Sequence, residues 1–372
     1  MIDWQHIEST VLHPFEEQMR STPQSAVWHA EGDVYAHTMN VCEALRAMPE
    51  YQALPELRQH ILYVAALLHD IGKSVTTEFA DNDWHAPHHA PVGSRMAREM
   101  LWRDYGLSGS LEQMQIRETI CWLIRYHSFP PHALQSRKNV LRMHKIAADT
   151  SLSPYFSMQD LCLISQADAL GRESADRQQM LEQIALCEEQ AREEGCWDRA
   201  YPFASAHTRR SFLKGQEVWK EQTLYDDTWG EVILLSGLPG TGKDTWIQRH
   251  LPETPVISLD AIRKARKIAP TVEQGRVANI AREQAKQLLR ARQPFIWNAT
   301  DITSQMRESL VSLFETYHAR VRIVYLETAW NTLLERNASR EDAVPVAVIH
   351  DMLTKLTPPE AYEATYVEWH CV

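Results

Sequence analysis

Gly237-Leu-Pro-Gly-Thr-Gly-Lys-Asp-Thr245 is the stretch that decides the fold of the second half of this chain. It follows the apolar run Val232-Ile-Leu-Leu235, which predicts a buried parallel strand, and it leads into Thr245-Trp-Ile-Gln-Arg249, which predicts the first turns of a helix. Glycines at this spacing let successive backbone N–H groups turn inward around an anion, and the positive end of the helix dipole adds to their attraction. The stretch therefore predicts a phosphate-binding loop between a strand and a helix.

The loop also predicts how a nucleotide and its magnesium ion are held. Lys243 is expected to reach the β- and γ-phosphates, and Asp244 stands where such loops usually carry a Ser or Thr that binds magnesium. A carboxylate beside phosphates is repulsive unless a cation lies between them, so we expect Asp244, or else Thr245, to bind the Mg²⁺. The loop residues expected to bind ATP or another nucleoside triphosphate are Gly237, Pro239, Gly240, Thr241, Gly242, Lys243, Asp244 and Thr245.

The composition is that of a globular protein with more than one domain. The 372 residues suggest two or three domains, and 44% hydrophobic with 23% charged residues is ordinary. The net charge of −11 argues against broad non-specific binding to duplex nucleic acid and confines such contacts to local basic patches. Scattered cysteines without a Cys-x-x-Cys pair, and no secretion signal, predict a reduced cytoplasmic location. No apolar run approaches 18 residues, so no membrane span is expected.

Helical and strand periodicities divide the chain into two parts. Apolar residues recur at helical spacing in 34–48, 56–68, 92–105, 111–126, 159–170 and 176–194, and more loosely over 212–220. Asp226-Asp-Thr-Trp-Gly230 then punctuates the chain. Beyond it, strand candidates at 232–235, 256–259, 294–297 and 321–326 alternate with helices, which is typical of a doubly wound parallel sheet. The sequence predicts an all-α domain over 1–222 and an α/β domain over 223–372.

Four polar residues on three predicted helices of the first part indicate a metal site. His37, the pair His69-Asp70, and Asp168 each have apolar neighbours that would turn them inward. Imidazole and carboxylate groups are suitable ligands for a divalent transition metal such as Mn, Ni or Co, and such polar groups rarely enter a helical core without a partner. Any one of these histidines alone is more often an ordinary core or surface residue.

The motif His69-Asp-Ile-Gly-Lys73 gives this part a resemblance to the HD phosphohydrolase superfamily. Ala167-Asp-Ala-Leu-Gly-Arg172 and Trp28-His-Ala-Glu-Gly-Asp-Val34 are similar to the HD domains attached to tRNA nucleotidyltransferases, and the likeness spans about residues 25–175. The resemblance implies hydrolysis of phosphoesters by a metal-activated water. It further implies His89 and His127 as additional metal ligands, although these histidines could serve the substrate instead. Lys73, which is also a candidate catalytic residue, and Arg172 are predicted either to contact phosphate or to be solvated charges.

Asp260 is the candidate general base of the second part. It follows the strand candidate at 256–259, at the sheet edge where ligands bind in open α/β folds, and Arg263 comes one helical turn later. Asp260 could take the proton of an acceptor hydroxyl while Arg263 holds a neighbouring phosphate; the alternative is that Asp260 is a helix N-cap. If the segment of Arg336 and Arg340 is helical, both guanidinium groups lie on one face, and Arg340 could bind the transferring phosphoryl group.

The order of these motifs resembles that of phage-type 5′-hydroxyl polynucleotide kinases over about residues 230–372. It comprises the loop lysine Lys243, Asp260-Ala-Ile-Arg263, Arg336-Asn-Ala-Ser-Arg340 and Ala343-Val-Pro345. In that family the third of these motifs is the lid, so Arg336 and Arg340 are the predicted lid arginines. Asn298 stands where that family has an Asp at the end of the third strand, so it offers the substrate phosphate or the lid arginine an uncharged contact. The basic run Arg263, Lys264, Arg266 and Lys267 is predicted either to attract the phosphates of a strand or to be a solvated face.

An HD domain followed by such a kinase resembles the bacterial bifunctional RNA end-healing proteins. The resemblance implies single-stranded RNA or DNA ends as substrates, with 5′ phosphorylation by the kinase and removal of 2′,3′ phosphate by the HD domain. Two alternatives remain open from the residues alone. One is a nucleoside or sugar kinase fused to a nucleotidase, and the other is an ATP-gated sensor with a structural HD site.

Overall fold

The computed structural model describes residues 2–135, 138–268 and 274–372. The chain divides into two compact units, one comprising Met1–Leu107 with Glu112–Tyr201 and the other comprising Ser108–Leu111 with Pro202–Val372. No helix among the described residues combines the length and the apolarity needed to cross a lipid bilayer.

The first unit is helical, as predicted, apart from one small hairpin. Each of the six predicted helices is present, although the third begins at His89 rather than at residue 92. The helices are α1 (Trp4–Thr10), α2 (Glu16–Ser21), α3 (Val34–Ala47), α4 (Pro49–Gln52), α5 (Glu56–Leu68), α6 (Lys73–Thr76), α7 (His89–Arg103), α8 (Leu111–Tyr126), α9 (Lys138–Ala148), α10 (Met158–Gly171) and α11 (Arg177–Glu193). The hairpin pairs β1 (Glu78–Ala80) with β2 (Asp83–His85) in antiparallel fashion between α6 and α7.

Helices α3, α5 and α10 form the centre of the first unit. The second half of α5, from Ile61 to Leu68, is buried throughout, and α10 is buried along nearly its whole length. Two glycines permit close backbone approach. A Cβ on Gly171 of α10 would lie 2.7 Å from the backbone N of Val41 in α3, and one on Gly72 would lie 2.1 Å from the carbonyl O of His89. These contacts hold the chain segments that carry the predicted metal ligands against one another.

The second unit contains a five-stranded, fully parallel sheet with the strand order β4-β5-β3-β6-β7. This confirms the predicted α/β class. The strands are β3 (Glu231–Ser236), β4 (Val256–Ser258), β5 (Phe295–Asn298), β6 (Arg320–Glu327) and β7 (Tyr366–Cys371). The helices are α12 (Ala206–Leu213), α13 (Lys243–His250), α14 (Leu259–Arg266), α15 (Gln274–Arg290), α16 (Ser304–Thr316), α17 (Trp330–Ala338) and α18 (Val346–Lys355).

Alternate residues of the central strand β3 enter two separate cores. Val232 and Leu234 pack in a cluster with residues of α15 and α16, whereas Ile233 and Leu235 pack in a second cluster with Trp246 of α13. A strand that is apolar on both faces must be covered by helices on both sides. This explains why the run at 232–235 carries no polar residue, and it fixes the phosphate loop at the carboxyl end of the sheet.

Three features of the second unit were not predicted. Helix α12 belongs to this unit, because Arg210 forms an ion pair with Glu315 of α16 at 2.6 Å, so the predicted boundary at 222/223 lies inside the second unit. The expected helical character over 212–220 ends at Leu213, close to Gly215, which has a positive φ of 82°. Strand β7 adds a fifth, edge strand to the sheet.

Candidate functional site

The four predicted HD ligands meet in the core of the first unit. The Nε2 atom of His37 on α3 lies 3.0 Å from Oδ1 of Asp168 on α10 and 3.6 Å from Oδ2 of Asp70. His69 ends α5, and its Nε2 lies 3.2 Å from Asp70 Oδ2 and 3.4 Å from Nε2 of His37. All four side chains are at least 97% buried. The prediction that these residues form one cluster agrees with this geometry.

His89 and His127 extend the cluster on the other oxygen of Asp70. Their Nε2 atoms lie 3.4 Å and 3.9 Å from Asp70 Oδ1, respectively. Ligand atoms of His37, His69 and Asp70 form one group compatible with a metal ion, and those of Asp70, His89 and His127 form a second. Asp70 belongs to both groups, so it would be shared between them if each group held an ion.

The histidines are oriented by the ring nitrogen that does not face the cluster. Nδ1 of His69, His89 and His127 each lies 2.7–2.9 Å from the carbonyl oxygen three residues earlier, at Ala66, Ala86 and Ile124. An imidazole whose Nδ1–H donates to a carbonyl has the lone pair of its neutral form on Nε2, which is the tautomer that a metal requires. Three local hydrogen bonds thus direct three Nε2 atoms towards Asp70.

Burial and neighbouring charges favour the ionisation states that metal binding needs. Burial lowers the pKa of His127 to about 3 and also lowers the pKa of His89. Burial alone would raise the pKa of Asp70 and Asp168, but Lys73 beside Asp70 and Arg172 beside Asp168 hold both pKa values well below their usual range. Neutral His89 and His127 are therefore present together with ionised Asp70 and Asp168. The pKa of His69 is raised instead, because the charges of Asp70 and Asp168 outweigh the effect of its burial.

The donor set fits a divalent metal. Neither buried carboxylate oxygen of Asp70 accepts a hydrogen bond of normal geometry, although imidazoles and the Lys73 ammonium surround them. The Lys73 ammonium offsets the buried charge at Oδ2, whereas Oδ1 faces the imidazoles of His89 and His127, where a metal cation would stabilise the carboxylate further. Nitrogen and oxygen donors in this mixture suit first-row transition metals.

Glu31 and His29 were missed as contributors to this site. Oε1 of Glu31 lies 2.8 Å from Nδ1 of both His29 and His37, and Oε2 accepts a hydrogen bond from the backbone N–H of Glu173. Glu31 therefore accepts a hydrogen bond from His29 and lies in close contact with His37 Nδ1, a contact that lacks the geometry of a hydrogen bond. Both residues belong to the stretch Trp28–Val34 that carries part of the resemblance to HD domains, and their His-x-Glu spacing ahead of α3 could have indicated a role in the site.

Lys73 and Arg172, predicted to contact phosphate, lie at the edge of the cluster and line a cavity of about 480 Å³. Nζ of Lys73 is 2.7 Å from Asp70 Oδ2 and donates to Gln24 Oε1 at 2.8 Å. Arg172 forms a two-pronged pair with Asp168, at 3.1 Å and 3.0 Å. Both cations are thus held in place by the carboxylates of the cluster while facing an open cavity.

In the second unit, the loop at 237–242 has the backbone of a phosphate cradle. Gly237, Gly240 and Gly242 all have positive φ, and helix α13 starts directly afterwards at Lys243. A Cβ on Gly237 would lie 2.4 Å from the carbonyl O of Leu326, and one on Gly240 would lie 3.0 Å from that of Leu333. Side chains are therefore excluded at both positions. Thr241 closes the turn by donating to the Leu238 carbonyl at 2.8 Å.

Lys243 lies across the inside of this loop. Its Nζ donates to the carbonyl oxygens of Gly237 and Leu238 at 2.8 Å and 2.9 Å, and burial lowers its pKa to about 8. These two contacts hold the ammonium at the centre of the cradle that the glycines form. The arrangement agrees with the predicted role of Lys243, since phosphate oxygens could replace the carbonyl partners.

Asp244 and Asn298 contact each other at the carboxyl edge of the sheet. Nδ2 of Asn298, the last residue of β5, donates to Oδ1 of Asp244 at 2.7 Å. Asn298 therefore orients the carboxylate beside the loop, rather than the lid arginine that the sequence suggested. Asp244 is exposed at the first turn of α13, as is Thr245.

Asp260 lies just after the carboxyl end of β4, with its side chain exposed. It is the second residue of α14, and its side chain is 71% exposed and pairs with Arg263 at 2.6 Å. The N-cap of α14 is Ser258, whose side chain accepts a bond from the N–H of Ala261, so Asp260 does not serve as the N-cap.

The predicted lid arginines do not share a helical face. Arg336 lies in α17, but this helix ends at Ala338, and Arg340 belongs to the loop that follows. The side chain of Asn337 holds this loop in place by bonding the backbone N–H and C=O of Val344 at 3.0 Å and 2.7 Å. An ion pair between Lys264 and Asp342 ties the loop to α14. Arg340 is thus carried by a loop anchored near the candidate base.

Comparison with known protein families finds one domain match in each half of the chain. Residues 34–170 match the HD domain family, and residues 232–359 match the AAA domain family AAA_33. The chain thus carries an HD domain followed by a P-loop kinase-like domain, which imply a divalent metal in the first and a nucleotide with Mg²⁺ in the second. Among solved structures, the chain is similar to a "putative kinase" from Chloroflexus aurantiacus, at 18% identity over 39% of this chain and 86% of that chain, with a TM-score of 0.33.

Proposed function

We propose that this chain heals broken nucleic-acid strands at both ends. The P-loop domain would phosphorylate 5′-hydroxyl ends with ATP, and the HD domain would remove 2′-phosphate or 2′,3′-cyclic phosphate from the opposite end of a break. RNA or DNA single-strand ends would be the substrates.

The observation that carries the kinase half of this proposal is the exposure of Asp260. A small acceptor such as a nucleoside is normally enclosed in a pocket, whereas Asp260 is 71% exposed. The cations Arg263, Lys264 and Arg266 on the same helix could hold the phosphates that follow a strand's 5′ end. An exposed base beside a basic helix therefore supports a polymeric acceptor.

In the proposed transfer, a carboxylate oxygen of Asp260 accepts the proton of the 5′-hydroxyl as that oxygen attacks the γ-phosphorus. The bond from phosphorus to the leaving ADP breaks as the new bond forms. Lys243 and the loop N–H groups would hold the β- and γ-phosphates, and Arg340 from the loop after α17 and Arg336 from α17 itself would approach the phosphates. Asp244 and Asn298 would lie beside the Mg²⁺.

In the HD domain, the carboxylate and imidazole cluster supports hydrolysis of a phosphoester. A divalent metal bound there would supply Lewis-acid activation of water and of the phosphate. Lys73 and Arg172, held by Asp70 and Asp168, can bind the non-bridging oxygens of a terminal phosphate and bring the ester to the cluster. The choice of a 2′,3′ end rests on the neighbouring kinase domain, because 5′-hydroxyl and 2′,3′-phosphate ends arise from the same RNA cleavage.

The full-length protein tests the kinase half when it is given γ-labelled ATP with a 5′-hydroxyl oligonucleotide or a nucleoside. We expect label in the oligonucleotide, and we expect Asp260→Asn to lower the rate by about 10²- to 10⁴-fold with ATP binding preserved. Asp351→Asn is the matched control, since Asp351 is similarly exposed and pairs with Lys355 in its own helix. Faster labelling of the nucleoside, or near-normal turnover of Asp260→Asn, would contradict the proposal.

A further inference from the structure

The cavity beside the HD cluster has aromatic walls that the metal chemistry leaves unexplained. It has a volume of about 480 Å³, within the range of small-molecule sites. Lys73, His89 and Arg172 line its inner side, and Trp28 and Trp84 line it as well. The two tryptophans are 49% and 38% exposed, although indole side chains usually bury most of their surface.

The two tryptophans come from separate segments that are fastened together. Trp28 lies in the loop between α2 and α3, where its N–H and that of His29 donate to the carbonyl of Ser25. Ser25 Oγ donates to Oδ2 of Asp83 at 2.6 Å, next to Trp84 in the β1–β2 hairpin. This bond fixes the hairpin to the loop.

The hairpin that carries Trp84 and the loop that carries Trp28 are each held by further contacts. On the hairpin, Trp84 packs edge-on against Phe79, with the ring centroids 5.0 Å apart. On the loop side, Lys73 donates to Gln24. Both indoles are therefore placed on walls of one cavity before any ligand arrives.

The chemistry of this cavity matches one nucleotide at the end of a strand. Any of the nucleobases can stack on an indole, because each has a flat aromatic face. Lys73 and Arg172 can bind phosphate oxygens at the inner end of the cavity. A phosphate ester without a flat aromatic group would use only the cations. The cavity thus offers stacking and phosphate contacts at one place.

We propose that Trp28 and Trp84 form a stacking site for the base of the terminal nucleotide, so that the HD site selects phosphate on a nucleoside at a strand end, irrespective of the base. This rests on the proposed function, because the terminal phosphate is the group that the cluster would remove. It adds a specificity determinant that neither the metal ligands nor the phosphate-binding cations supply.

Two oligonucleotides test the stacking site. Both end in a phosphorylated sugar, but in one of them the terminal nucleotide lacks its base. We expect the full-length protein to bind the end with a base on the order of tenfold more tightly, as measured by fluorescence anisotropy in the presence of EDTA, and to show the same preference in the KM of phosphate release. Trp28→Ala and Trp84→Ala should each reduce this preference, whereas Trp28→Phe and Trp84→Phe should largely keep it.

Trp219→Ala is the matched control, because Trp219 is 79% exposed and belongs to the other unit. Equal affinity of the native protein for the two ends would overturn the stacking site, even if phosphate is released from both and the proposed reaction stands. The variant that combines Trp28→Ala with Trp84→Ala is a further test. If it still binds the end with a base more tightly than the end without one, the stacking site is also overturned. Tryptophan-dependent preference in binding without phosphate release would support the stacking site and contradict the proposed reaction instead.

Discussion

At the scale of single residues, Asp244 and Asn298 form a pair that redistributes a charge. Phosphate loops usually carry Ser or Thr at the position of Asp244, and the polynucleotide kinases that the sequence resembles carry Asp at the position of Asn298. Here the carboxylate belongs to the loop and the strand end provides an amide, with 2.7 Å between them. The pair Asp244–Asn298 therefore carries one negative charge, as a Ser–Asp pair would, but the charge lies on residue 244 rather than on residue 298.

We expect the two positions to be exchangeable only together. Asp244→Ser should raise the Mg²⁺ concentration needed for ATP binding roughly tenfold, equivalent to about 1.4 kcal/mol, because the carboxylate is lost. Adding Asn298→Asp to that variant should restore the native requirement, since the carboxylate returns on the neighbouring strand end. Isothermal titration of ATP at several Mg²⁺ concentrations measures this. An unchanged Mg²⁺ requirement in Asp244→Ser would assign the role to Thr245.

Asp301 carries a pH dependence of stability in the second unit. Its side chain accepts a hydrogen bond from Trp297 Nε1 at 2.9 Å, and burial raises its pKa to about 6. Because this is above the unfolded value of about 3.9, its favourable contribution is complete below pH 4 and is lost as the pH rises through 6.

Asp301→Asn should therefore stabilise the second unit at pH 7, by up to about 3 kcal/mol, and should have little effect near pH 4. Asparagine keeps an acceptor for Trp297 and tolerates the positive φ of 38° at this position. Urea unfolding of both proteins at pH 4, 5.5 and 7 measures the free energy of unfolding. A stability difference that does not change with pH would show that Asp301 does not titrate in this range.

At the scale of elements, the spacing of α3 and α10 sets the geometry of the HD cluster. His37 lies one turn before Val41, and Asp168 lies three residues before Gly171, whose absent side chain lets the two helices touch. We expect Gly171→Ala to push the helices apart, lower the affinity for Mn²⁺ by about 10- to 100-fold and cost about 1–3 kcal/mol of stability.

Calorimetric titration with Mn²⁺ and thermal unfolding measure the two effects. Gly275→Ala is the control, because a Cβ at Gly275 in α15 meets no atom within 4 Å and alanine favours helix. Native Mn²⁺ affinity in Gly171→Ala would show that the cluster does not depend on this helix contact.

Elements with a strong periodicity were predictable, and those defined by long-range contacts were not. The strands at 232–235 and 321–326 are apolar runs between helices, and the structure confirms them as β3 and β6. Strand β7 escaped prediction because it lies at the sheet edge, where most of its residues are partly exposed and no apolar run forms. Glu31 escaped because its contacts with His29 and His37 depend on the conformation of the irregular loop ahead of α3, which periodicity does not reveal. The clustering of His37, His69, Asp70 and Asp168 could be predicted because polar residues on apolar helices are conspicuous; their role as metal ligands stays a prediction.

At the scale of the whole molecule, each candidate site takes its residues from one unit only. The HD ligands and the cavity residues all lie within residues 1–107 and 112–201, and the loop, Asp260 and the lid lie within 202–372. Among the residues that the structure describes, the two sets do not overlap, so each proposed activity has its own set of residues that can be replaced without altering the other set.

We therefore expect the two proposed activities to be lost separately. Asp70→Ala removes the carboxylate shared by both ligand groups and should lower phosphate release from a 2′,3′-cyclic phosphate end by about a hundredfold or more, with 5′ phosphorylation near normal. Lys243→Ala removes the ammonium from the phosphate loop and should lower 5′ phosphorylation by about 10²- to 10³-fold, with phosphate release near normal.

Both reactions are measured on the same preparation of each variant, so the retained activity shows that its own unit is folded, and the circular dichroism of the whole chain checks that the mutated unit keeps its helix content. A variant that loses both activities, with the native content of helix retained by circular dichroism, would contradict this independence and would place an energetic coupling between the two units. Rapid hydrolysis of free nucleotides, with none of oligonucleotide ends, would leave the separation intact but assign the HD domain a different substrate.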